Sequence, residues 1–103
     1  WDKFMNEQLA YFLQRLDSHK EGDGTLLDRT MVLHGSSNST THNNSNYPLV
    51  FAGGSGIGLQ HGQFLKVADN VPMSNLFVTM LDCMGVDAPK FADSTGDLTA
   101  VRA

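Results

Sequence analysis

The sequence predicts an α/β fold, with a small, mainly parallel sheet flanked by helices. Three observations predict it. Apolar residues recur at helical spacing at the start of the chain and again late in it, two short apolar runs lie between those stretches, and glycines or hydroxyl-bearing residues close each run. At 103 residues, a single domain spanning 1–103 is the expected organisation.

Trp1, Phe4, Met5, Leu9, Phe12, Leu13 and Leu16 follow three- and four-residue spacing, with Asp2, Lys3, Glu7, Gln14 and Arg15 mostly between them. This spacing predicts an amphipathic helix. It should stop near Asp17 to Lys20, because Glu21-Gly22-Asp23-Gly24 supplies two glycines and two turn formers. The pattern starts at Trp1 with no leader, cap or initiating Met before it, so the chain is expected to be a piece of a longer protein.

Thr25 to Thr30 leads into Met31-Val32-Leu33-His34, a short apolar run bounded by Gly35 and serines, and this predicts a buried strand. From Ser36 to Asn46 every residue is Ser, Thr, Asn or His. Such side chains compete for backbone hydrogen bonds, so the segment is expected to be a loop. Pro48-Leu49-Val50-Phe51-Ala52 predicts a second strand, with Pro where a missing N–H is tolerated and a glycine-rich exit from Gly53 to Gly58. Leu59 and Gln63 to Val67 flank His61-Gly62 as a short hairpin or edge ribbon would. Pro72 introduces Met73, Leu76, Phe77, Met80, Leu81 and Met84 at helical spacing, with Ser74 or Asn75 near the start and Gly85 as the C-terminal cap. Val86 to Ala103, with Pro89 and an Asp93-Ser94-Thr95-Gly96 turn, is expected to be mostly irregular.

Composition excludes several roles. The net charge is −4 and only seven basic residues are present. They are scattered, so no nucleic-acid footprint exists. No apolar run approaches the roughly 20 residues of a membrane span, and no targeting signal is visible. The single cysteine, Cys83, excludes an internal disulfide and reads as a small buried hydrophobe.

Gly54 and Gly56 follow a strand as in a dinucleotide loop, but Leu59 stands where the third glycine belongs. A tight strand exit is the preferred account. None of His19, His34, His42 and His61 shows metal-ligand spacing relative to another. Parallel strands would nevertheless bring His34, His42 and His61 near one rim of the sheet. These three are the candidate metal ligands, weighed against solvated structural histidines. Ser36, Ser37 and Ser39 follow a strand where an α/β protein presents a nucleophile, although the G-x-S-x-G elbow is absent. The sequons at Asn38 and Asn43 follow from composition, and the Met73 to Met84 stripe reads as core.

In order and spacing, Gly24 to Leu33, Pro48 to Gly54, Asn75 to Val86 and Phe91 to Gly96 resemble the closing third of sulfatase- and alkaline-phosphatase-like proteins. More closely, they are similar to the bacterial family known as domain of unknown function 1552. The resemblance spans nearly the whole chain and implies part of an alkaline-phosphatase-like α/β/α sandwich whose strand ends hold two metal ions. It also implies an Asp-His pair after the strand at Met31 to His34. Ser36 and Ser37 stand there instead, and neutral hydroxyls are poor substitutes at a divalent metal. His42 carries over as a ligand or substrate contact, and the nucleophile belongs to an N-terminal portion outside this chain.

The expected function is thus a hydrolase-like module without a complete active site, forming a homodimer through its sheet edge and apolar helix faces. No cofactor is expected for this chain alone; a divalent metal, zinc or similar, is implied only for a full-length form. One alternative is a metal-dependent phosphatase or sulfatase portion, active only with the missing N-terminal region. Another is a module that binds a carbohydrate or small anion through the Ser/Thr/Asn loop. By resemblance, an exported or periplasmic location is expected.

Overall fold

The computed structural model describes residues 1–36, 42, 45 and 47–103. They form two compact units, Trp1–Gly54 and Ser55–Ala103.

In the first unit, the opening apolar spacing forms helix α1, Asp2–Ser18. It ends where expected, and the Ser18 hydroxyl donates to the Arg15 carbonyl at 2.8 Å. Gly22 takes φ +60°, a left-handed value that glycine reaches without steric cost. That turn reverses the chain between two very short strands, β1 (Lys20–Glu21) and β2 (Gly24–Thr25), paired antiparallel. A 3-10 turn follows at Leu26–Arg29. It is tied at its start by the Thr25 N–H donating to Asp28 Oδ2 at 2.9 Å, and at its end by the Thr30 hydroxyl donating to the Leu26 carbonyl at 2.8 Å.

The two apolar runs form strands β3 (Met31–Gly35) and β4 (Leu49–Gly53), as the sequence predicts. Their direction is not the predicted one. They pair antiparallel, with Met31 opposite Gly53, Leu33 opposite Phe51 and Gly35 opposite Leu49. Among the described residues the sheets are two antiparallel pairs, β1 with β2 and β3 with β4. This overturns the mainly parallel sheet flanked by helices, and with it the partial α/β/α sandwich. The reason lies in the connection. A parallel return must travel back along the strand, usually through a packed helix, whereas an antiparallel return needs only a reversal. Residues 36–48 contain no apolar period that could make such a helix pack.

β4 ends against the 3-10 turn, where the Gly54 N–H donates to the Leu27 carbonyl at 3.0 Å. Gly53 has φ +81°, and a Cβ there would run into the Thr30 carbonyl oxygen and stand 3.0 Å from that of Leu27. Only glycine fits this close approach.

The second unit is built on helix α2, Ser74–Cys83. Gly85 ends it at φ +80°. Its N–H reaches the Asp82 carbonyl at 3.0 Å, and the Val86 N–H reaches that of Leu81 at 2.9 Å. This is the Schellman arrangement that the glycine position predicts. Leu59, Leu76, Val78 and Val101 are buried. Leu59 forms an isolated antiparallel bridge with Arg102, so this segment meets the chain terminus and not the expected ribbon. Residues 60–70 are all exposed, with Phe64 at 95%. The stretch from Gln63 to Val67, expected as one side of a short hairpin or edge ribbon, has no strand partner among the described residues. Without ladder hydrogen bonds, strand propensity alone does not hold a strand.

Candidate functional site

Three places in the chain carry chemistry or exposed surface. The first is the end of the β3–β4 pair. His34 is the fourth residue of β3, half-buried and opposite Val50. Ser36 follows directly and is exposed. Because the pair is antiparallel, the end of β3 lies beside the start of β4, and both ends of the polar segment leave from the same side. His42 is exposed, with φ +60°. His61, exposed, belongs to the second unit. Ser37 and Ser39, like most of both sequons, lie outside the described residues. Among the described residues, no three His, Cys, Asp or Glu side chains are grouped as metal ligands.

The second place is a cleft of about 400 Å³ in the second unit, lined by Val78, Asp82, Asp87, Ala88, Pro89, Gly96 and Asp97. Arg102 is hydrogen-bonded to Asp82. That bond, aided by nearby negative charges, raises the guanidinium pKa above its ordinary value.

Beside this cleft lies a polar network that sequence patterns did not reveal. The Ser74 hydroxyl donates to Asp93 Oδ1 at 2.6 Å. Asn75 closes a two-way clasp on Thr95, its Nδ2 donating to Oγ1 at 3.2 Å and its Oδ1 accepting the Thr95 N–H at 2.9 Å. Thr79, 0% exposed, accepts the Leu98 N–H at 2.8 Å. Ser74 and Asn75 look like helix-start residues in sequence, yet their side chains fasten the 93–98 segment onto α2. The partners stand 19 or 20 positions away, beyond the reach of any local motif. The polar run Asp93-Ser94-Thr95 is the one signal that could have pointed to them. These groups satisfy one another and stabilise the unit.

The third place is the outer face of α1. None of its 17 residues is buried. Leu9, Leu13 and Leu16 are half-buried, whereas Trp1 is 88% exposed, Phe4 52%, Met5 38%, Tyr11 59% and Phe12 49%. At about 100° per residue the whole apolar arc spans roughly 200° of the helix. The leucines take one side of that arc and the aromatics the other. The Trp1 and Phe4 rings stack at 6.1 Å between centroids. Among the described residues of the first unit, no large hydrophobic side chain is buried.

In comparisons with known proteins, the chain matches no family model, no curated protein and no solved structure.

Proposed function

We propose that this chain serves as a self-associating assembly module, contacting its partner through the outer face of α1, and that it does not hold a complete hydrolytic centre by itself. One observation carries the proposal: a 17-residue helix with no buried position presents four large apolar side chains to solvent, and its N-cap Trp1 adds a fifth. Isolated exposed hydrophobics are ordinary, but a contiguous patch of this kind marks an interaction surface.

Marginal packing within the first unit supports the same reading. Its helix and short strands cover only part of their apolar surface, and a bound partner supplies the missing burial. The resemblance to sulfatase-like proteins adds a host of hydrolase type, to which this piece would contribute assembly. The Ser36 position fits that division, because a hydroxyl stands where a metal-binding carboxylate would be needed.

Size-exclusion chromatography with light scattering tests the proposal. The expected result is twice the chain mass at micromolar concentration, returning to the single-chain mass when Phe12→Asp is introduced. A wild-type chain that stays monomeric at tens of micromolar, about the weak end of specific association, refutes it.

A further inference from the structure

We infer that residues 60–70 form a site of limited proteolysis, cut at the Lys66–Val67 bond by a protease whose specificity pocket carries a carboxylate for a basic side chain. The step adds one water across that peptide bond, leaving a carboxylate on Lys66 and an amine on Val67. One product carries the whole first unit, Trp1–Gly54, and the other carries α2.

A protease cleft takes its substrate as an extended strand and pairs with the substrate's own N–H and C=O groups, so a folded segment has to open before it is cut. Around Lys66 there is nothing to open. All of residues 60–70 are exposed and lie outside helices and strands. From Phe64 to Val67, no backbone group hydrogen-bonds to another described residue. Both flanks are fastened. On one side the Gln60 N–H donates to the Val101 carbonyl at 2.9 Å, and Gln63 Nε2 donates to the Ala100 carbonyl at 3.0 Å. On the other, the Val71 N–H donates to the Ala68 carbonyl at 3.4 Å, and α2 begins at Ser74. Nicking concentrates in exposed, unpaired stretches of this kind.

The basic residues select the bond. The chain has seven. Lys3 and Arg15 lie within α1, and Lys20 lies within β1. After Arg29, the Thr30 N–H donates to the Leu27 carbonyl at 3.2 Å. After Lys90, the Phe91 N–H donates to Ser94 Oγ at 2.9 Å. After Arg102, the Ala103 N–H donates to the Gly58 carbonyl at 2.9 Å. Arg29 and Arg102 are also ion-paired, with Glu21 and Asp82. Lys66 has no ion pair among the described residues, so its ammonium is available to an acidic pocket.

Brief trypsin digestion of the full chain under native conditions, read by intact mass, tests the site. The expected first products are residues 1–66 and 67–103, formed about tenfold faster than any cut at Arg15, Lys20, Arg29 or Lys90. Lys66→Gln should remove this cut and leave the circular dichroism unchanged, while chymotrypsin still cleaves that variant after Phe64 or Leu65. Thr79→Val gives a second reading, because it loosens the second unit elsewhere. A cut that needs no unfolding keeps its rate in that variant, whereas a cut made through unfolding accelerates. A first cut at Arg29 or Lys90, equal rates at all five positions, or a Lys66 cut more than about threefold faster in Thr79→Val overturns the inference. Resistance of residues 60–70 to both proteases overturns it as well.

Discussion

Replacing Gly53 by alanine should destabilise the first unit far more than the same change at Gly85, although both glycines have φ near +80°. Both variants incur the left-handed penalty of an L-residue, about 1–2 kcal/mol. They differ in what the new methyl meets. At Gly85 nothing lies within 4 Å. At Gly53 the methyl collides with the Thr30 carbonyl oxygen and lies 3.0 Å from that of Leu27 and 3.1 Å from Leu27 Cδ1. Those backbone atoms cannot easily retreat, because the Leu27 carbonyl accepts from both Thr30 and Gly54, at 3.2 and 3.0 Å. Overpacking of this kind adds about 1–3 kcal/mol. The stiffer unfolded chain returns about 0.4–1 kcal/mol in either variant. The net expectation is about 2–4 kcal/mol for Gly53→Ala and about 1 kcal/mol for Gly85→Ala. Trp1 is exposed, so its fluorescence is a poor reporter of this unit. Urea unfolding followed by far-UV circular dichroism, with hydrogen exchange at the β3 and β4 amides, reads the difference locally. Equal losses at the two glycines, within about 0.5 kcal/mol, would refute the claim that backbone contact makes Gly53 obligatory.

Other consequences are as specific. Thr79→Val keeps the shape but removes the acceptor of the half-buried Leu98 N–H, and should cost about 1–3 kcal/mol in thermal or urea unfolding. Asn75→Ala removes both halves of the clasp on Thr95 and should raise hydrogen exchange across 93–98 before it changes exchange in β3 and β4. Glu21→Gln breaks the Arg29–Glu21 ion pair of 3.1 Å, whose two side chains are about half exposed, and should change stability by less than about 1 kcal/mol in a urea titration.

Much of the fold was legible where local periodicity dictates it. α1 and α2 follow from three- and four-residue spacing, and Gly85 ends α2 because the left-handed cap requires it. The two strand positions were legible as well, from short apolar runs bounded by glycine, serine or proline. Strand direction was not, because pairing direction depends on the path of the chain between strands and not on the strands themselves. The apolar stretch at Gln63 to Val67, read as a hairpin or edge ribbon, misled for a related reason: a strand exists only where another edge accepts its hydrogen bonds.

The candidate sites divide along the same line. His34 and Ser36 were placed correctly at a strand end, but the rim joining them to His42 and His61 assumed parallel strands. The Ser74, Asn75 and Thr79 network depends on partners about 20 residues away, so no window centred on α2 contains it. The outer face of α1 shows the opposite case. Its residues were read as an amphipathic helix whose apolar face was expected to take part in self-association, and the apolar arc is about twice the roughly 100° stripe usual for a core-facing helix. Width of the arc, and not its period, is the feature that goes with the exposed apolar side chains of this helix.

The association state of the unmodified chain is the most direct test of self-association through α1. Sedimentation velocity across a hundredfold dilution should show a two-chain species giving way to one chain, with the midpoint moved to higher concentration by Phe12→Asp. A single-chain species throughout, unchanged by that substitution, would contradict it.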